Sequence, residues 1–138
     1  MDSDASACVG FIGLGLLGQA MALRLAAQGV ALVVWNREPE RCVPLAAAGA
    51  VLVDSPREVA ERCGVICLCV LDAAAVDAVV FGAGGVAHAV LRDRTVVDFS
   101  TVDPDATRAI AARAAEARIE CRCRQTTQVP ARAGGRAQ

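Results

Sequence analysis

From Val9 onward, short runs of β-branched and apolar residues alternate with longer alanine-rich stretches whose apolar positions recur at helical spacing. The runs predict strands over Val9–Ile12, Ala31–Trp35, Ala50–Val53, Val65–Val70 and Thr95–Phe99. The stretches between and after them predict helices over Leu17–Gln28, Pro39–Ala48, Pro56–Arg62, Ala74–Val80 and Pro104–Ala117. Within each strand the apolar residues are continuous rather than alternating, the pattern of a parallel sheet covered on both faces by crossover helices. Local punctuation agrees: Gly29 and Gly49 follow the first two helices where a left-handed cap is wanted. Pro39, Pro56 and Pro104 stand at first-turn positions, with Ser55 and Asp103 as N-caps before two of them.

Directly after the first strand the chain reads Gly13-Leu14-Gly15-Leu16-Leu17-Gly18, a G-x-G-x-x-G in the strand-to-helix setting that makes it informative. Gly13 suits the tight turn, Gly15 lets backbone approach a pyrophosphate, and Gly18 lets the helix pack closely on the strand. The N–H groups opening the helix then face phosphate charge. The expected class is α/β, a Rossmann-type doubly wound parallel sheet that binds a dinucleotide. The second strand ends in Asn36-Arg37 with no carboxylate at the decisive position, and Arg41 lies one turn further on. An arginine there accommodates a 2′-phosphate, which favours NADP(H). NAD(H), held through Asn36 with both arginines solvated, is the alternative.

The 138 residues fit one domain, and the formal charge of −1 is close to neutral. Residues 121–138 carry Arg122, Arg124, Arg132 and Arg136 and no acid, but without aromatic residues or a folded motif they predict no nucleic-acid partner. No window approaches the roughly 20 uninterrupted apolar residues of a membrane span. Met1–Ala7 is short and acidic, unlike a signal or transit peptide; it is expected to be disordered, and the protein cytoplasmic. Seven cysteines, an odd number without an export signal, predict reduced thiols. Cys67 and Cys69 fall on one face of a strand, as core residues do. The single histidine, His88, has no paired ligand spacing, so no metal site is expected.

Three motifs together, Gly10-Phe11-Ile12-Gly13-Leu14-Gly15-Leu16-Leu17-Gly18, Val34-Trp35-Asn36-Arg37 and Val97-Asp98-Phe99-Ser100-Thr101-Val102-Asp103, resemble the β-hydroxyacid dehydrogenase family. Its cofactor domain is of the 6-phosphogluconate dehydrogenase type. Asp54-Ser55-Pro56, Val79-Val80-Phe81 and Gly84-Gly85-Val86 are most similar to the glyoxylate/succinic semialdehyde reductase branch. The resemblance runs over about residues 8–118. It implies that Val70 and Leu71, in the loop Val70-Leu71-Asp72, line the ribose and nicotinamide side of the cofactor. Leu71 and Ala73 depart from the usual Ser-Asp-Pro or Pro-Asn. It also implies that Ser100 and Thr101, at the carboxyl end of the fifth strand, meet the nicotinamide half.

Beyond Arg118 the resemblance stops. Family members continue into a further strand, a Ser-Gly-Gly substrate loop and a helical domain with a catalytic lysine; this sequence contains no lysine, so no catalytic residue is assigned. The expectation is a sheet truncated after the fifth strand and its helix, comprising a domain over 8–118. Residues 119–138 then form an irregular, disordered basic tail, such as a shifted reading frame, a wrong splice choice or an early stop would leave. With the fifth strand's edge bare and no helical domain to cover apolar surface, aggregation is expected. The resemblance implies an NADP(H)-binding domain of an oxidoreductase passing hydride between nicotinamide and a small hydroxyacid or aldehyde. That substrate is met only in a full-length parent. The other reading is a catalytically inactive dinucleotide-binding fragment or module.

Overall fold

Phe11 and Ile12 are neighbours in one strand and both are fully buried, which requires a sheet covered on both faces. The computed structural model describes residues 8–89, 94–100, 104–116 and 119–123. In it, strands β1 (Cys8–Ile12), β2 (Ala31–Trp35), β3 (Val51–Leu52), β4 (Val65–Leu68), β5 (Arg94–Asp98) and β6 (Ile119–Cys123) form one sheet. Every pairing is parallel and the order is β3-β2-β1-β4-β5-β6. The helices are α1 (Leu16–Ala27), α2 (Val43–Ala47), α3 (Pro56–Arg62), α4 (Ala73–Phe81) and α5 (Pro104–Glu116).

On one face Phe11, Leu32, Val34 and Cys67 pack with Ala22 of α1 and Leu45 of α2. On the other, Ile12, Ile66, Leu68, Val96 and Ile119 meet Val59 of α3, Val76 and Val80 of α4, and Ile110 and Ala114 of α5. Each of the larger side chains contributes about 1.5–3 kcal/mol by leaving water, and the gain on both faces drives the layering. Burial also pushes the Cys67 thiol up to about 11, so it remains a neutral core group. Among the described residues no helix is long and apolar enough to cross a membrane.

Two sequence expectations change. The helix predicted over residues 39–48 is a 3₁₀ turn, Pro39–Cys42, followed by the short α2. Pro44 explains the break: it has no N–H to give the Glu40 carbonyl, and its ring crowds that carbonyl in a continuous α-helix. The second correction concerns the truncation after the fifth strand and the irregular tail from 119. Ile119–Cys123 is instead a sixth strand, in register with β5 from Arg94↔Ile119 to Asp98↔Cys123. Ile119, 5% exposed, enters the same core as Val96 and Ile110. The β5 edge is therefore paired, which removes the bare-edge ground for aggregation. The terminal segments, residues 1–7 and 124–138, lie outside the described residues, as does the Asp103 cap.

Candidate functional site

In this strand order the chain leaves β1 towards one side and β4 towards the other, so a crevice opens outside their carboxyl ends. The glycine turn fills its floor. Gly13 has φ +98°, a left-handed conformation, and a Cβ there would stand 2.3 Å from the Cys69 carbonyl oxygen. A Cβ on Gly18 would stand 2.1 Å from the Gly13 carbonyl oxygen, so the helix is pressed against the turn. Gly15 differs: a Cβ would meet nothing within 4 Å. It is the N-cap of α1, has no capping side chain, and leaves the first-turn N–H groups facing the crevice. The space a side chain would take is the space a pyrophosphate needs, so the turn fits the group that the sequence implies.

The crevice is a cavity of about 720 Å³, within the usual range for small-molecule sites. The predicted residues Gly13, Gly15, Leu16, Leu17, Gly18, Asn36, Arg37, Val70, Leu71 and Ser100 line it. Leu16, Leu17 and Leu71 are 87%, 61% and 86% exposed and give the cavity apolar lips. Leu14 and Arg41 are not on the lining. The Leu14 side chain is fully buried, and its N–H donates to Asn36 Oδ1 at 2.7 Å. The Arg41 guanidinium turns to Glu38, Nε to Oε1 3.6 Å. Thr101 lies outside the described residues.

Asn36 is a brace. Its Oδ1 accepts from Leu14 in the glycine loop, and its Nδ2 donates to the Glu38 carbonyl at 3.0 Å, tying the end of β2 to the phosphate-facing turn. Arg37 has no ion-pair partner among the described residues, so its fork is available to a ligand.

At the other end, Asp98 and Ser100 are 2% and 3% exposed. Asp98 Oδ1 accepts the Ser100 N–H at 2.8 Å, and Ser100 Oγ accepts the Val70 N–H at 2.8 Å. This last bond ends β4, because Cys69 still donates to Ile12 across the ladder but Val70 does not. Burial pushes the Asp98 carboxyl up, and the Ser100 N–H and hydroxyl partly offset that by bonding the charged form. Burial, then the Asp98 charge, raise the Cys69 thiol. Asp72, placed by the sequence in the cofactor loop, caps α4: its Oδ1 accepts from the Ala75 N–H at 2.9 Å.

Trp35, Glu38, Asp54, Cys69 and Phe99 also line the cavity, and sequence reasoning did not assign them. Each lies at or within three residues beyond the carboxyl end of a strand, which is where open α/β sheets place ligand contacts; that signal was available.

Residues 8–121 match the family model described as the NAD binding domain of 6-phosphogluconate dehydrogenase. Glyoxylate/succinic semialdehyde reductase 1 of Arabidopsis thaliana is 38% identical over 97 residues, covering 70% of this chain and 34% of that protein. The cytokine-like nuclear factor N-PAC of Drosophila melanogaster is 41% identical over 97 residues, 70% of this chain and 16% of that protein. The chain thus spans about a third or less of the length of these relatives. A crystal structure of a putative oxidoreductase from Pseudomonas putida KT2440 superposes with a TM-score of 0.78 at 35% identity, over 88% of this chain and 41% of that one. The imine reductase of Myxococcus stipitatus carries NADP+ in one structure (TM-score 0.76, 28% identity, 83% and 39% covered). Its V8 variant carries NAD+ (0.77, 27%, 84% and 39%).

Proposed function

Because this chain belongs to the family of NAD-binding domains typified by 6-phosphogluconate dehydrogenase, we propose that it is the NADP(H)-binding domain of an oxidoreductase acting on a small aldehyde or hydroxyacid. The observation that carries this reading is the open position at Gly15 in a cavity whose wall presents Arg37 without an ion-pair partner among the described residues. A bound dinucleotide supplies hydride from, or accepts it at, its nicotinamide. The first-turn N–H groups of α1 hold the pyrophosphate, and Arg37 takes the 2′-phosphate by paired charge-assisted bonds. Ser100 and Val70 shape the nicotinamide end, and Leu16, Leu17 and Leu71 keep water from it. Likeness to the Arabidopsis reductase supports glyoxylate or succinic semialdehyde as the substrate class. Reduced thiols at Cys42, Cys67 and Cys69 support a reducing compartment such as the cytoplasm.

Trp35, the single tryptophan, lines the cavity, so its fluorescence reports binding. Arg37→Ala should weaken NADPH about 10- to 100-fold, the worth of one or two charge-assisted hydrogen bonds, and leave NADH within about twofold. An unchanged NADPH affinity would sink the NADP(H) assignment. A second reading, a cofactor-binding module without turnover of its own, is favoured by the absence of lysine from the 138 residues. NADPH oxidation with glyoxylate or succinic semialdehyde separates the two: turnover by this chain at an ordinary enzymatic rate, about 1 s⁻¹ or more, excludes the module.

A further inference from the structure

Among the described residues β6 ends the sheet, paired with β5 on one side and with no strand on the other. A strand in that position keeps a row of backbone N–H and C=O groups able to pair with a further strand. The opposite end of the sheet differs, because β3 spans only the two residues Val51–Leu52 and offers little to pair with. One edge is therefore fit to take another strand, along the five residues from Ile119 to Cys123.

The order of charges along that edge selects the strand it fits. Glu120 and Arg122 stand symmetrically about Cys121. When β6 meets the β6 of a second copy antiparallel, with Cys121 opposite Cys121, Glu120 of each copy falls opposite Arg122 of the other. Opposite charges facing each other across two strands stabilise the pair, and like charges directly opposite destabilise it. Sliding the second copy by two residues sets Glu120 against Glu120 or Arg122 against Arg122. Sliding it by one leaves neither with a charge opposite, and parallel pairing in register creates both like-charge pairs. A single register satisfies both charges, and it is a self-pairing.

The layer above the sheet leaves room for this approach. As the crossover between β5 and β6, α5 lies over both, and strands about 4.8 Å apart then bring the two α5 helices to about 10 Å, an ordinary packing distance. On one flank of α5, Arg113 reaches Asp77 and the Phe81 ring of α4. Helical periodicity puts Thr107, Ala111 and Ala115 on the opposite flank, towards the free edge, where their small side chains admit a second helix. We propose that two copies of this chain join through β6 about a two-fold axis at Cys121, merging their two six-stranded sheets into one. Such an interface is isologous and closes at the dimer. The cavities sit at the carboxyl ends of the strands, which point opposite ways in the two copies, so neither cavity is covered.

Sedimentation equilibrium of the 138-residue chain tests this. The apparent mass should climb with concentration from 14.2 kDa towards twice that value and stop there. Five residue pairs exchange about four to six backbone hydrogen bonds, a small interface, so half-association is expected at about 10–100 μM. Glu120→Arg and Arg122→Glu each set like charges opposite one another at both places and should weaken association about tenfold or more. Mixed in equal amounts, these two variants regain both opposite-charge pairs and should associate with each other within about threefold of the native chain. A chain carrying both Glu120→Arg and Arg122→Glu should do the same with itself. It also separates pairing from folding, since it contains both substitutions and restores only the match across the axis. NADPH should leave the association unchanged, so the result stands apart from the cofactor reading.

A native chain that stays at 14.2 kDa up to about 1 mM overturns the proposal, as does a mass that passes the dimer. Single variants that associate as the native chain does overturn it too. So does a double variant that fails to recover, because the charges would then not face each other across the axis.

Discussion

Gly15→Ala should lower dinucleotide affinity about a hundredfold or more while costing the fold no more than ~1 kcal/mol. Its backbone, φ −69° and ψ −166°, suits alanine, and the new methyl group meets no atom of the protein within 4 Å. The stability cost is the difference between glycine and alanine at an N-cap. The affinity loss comes from the methyl group occupying the space a pyrophosphate needs against the α1 N–H groups; losing two such bonds to a charged ligand accounts for it. Gly18→Ala gives the opposite signature. Its methyl would stand 2.1 Å from the Gly13 carbonyl oxygen, which is backbone and does not rotate away, so α1 must lift from the sheet. Overpacking of that kind costs about 1–3 kcal/mol or more, and binding is lost with the fold. Thermal unfolding and Trp35 titration on both variants resolve the difference, and Gly15→Ala binding as the native chain does would exclude the cradle.

That contrast also shows why the sequence was readable where it was. A glycine spaced for a turn, a strand-to-helix context and a run of apolar residues buried on two faces are local properties, and they were enough to place β1, α1 and the cavity floor. The rest depended on partners that spacing alone does not show or on a single atom. Pro44 breaks the helix predicted over residues 39–48 through one missing N–H, which apolar spacing does not register. Ile119-Glu120-Cys121-Arg122-Cys123 alternates apolar with charged residues, as edge strands do, but its pairing is supplied by β5. Arg41, one helical turn from Arg37, reads as a second phosphate ligand; in the fold its guanidinium lies against Glu38, off the cavity lining. Leu14 sits inside the fingerprint, yet its N–H is taken by Asn36, 22 positions away.

Asp98→Asn should remove a fall in stability that the native chain shows as pH rises from about 4. Burial holds the Asp98 carboxyl above its ordinary value of 3.8. In the window between that value and the raised one, the folded chain keeps a proton that the unfolded chain has released. Stability then falls with rising pH across the window and stays lowered above it. Asparagine carries no charge at any of these pH values, and its carbonyl oxygen can still accept the Ser100 N–H. Its stability should therefore equal or exceed that of the native chain at pH 7, with the difference narrowing on acidification. Asp98→Ala differs at every pH: it strips the acceptor from a Ser100 N–H at a residue 3% exposed, at a cost of about 1–3 kcal/mol. It also frees Ser100 to turn away from the Val70 N–H. Because Val70 and Ser100 both line the cavity, Asp98→Ala should weaken dinucleotide binding where Asp98→Asn does not. Urea denaturation between pH 4 and 8 on the three chains decides it. Parallel stability curves for the native chain and Asp98→Asn would mean that burial does not raise the carboxyl, and the link from β5 to the cavity would then rest on geometry alone.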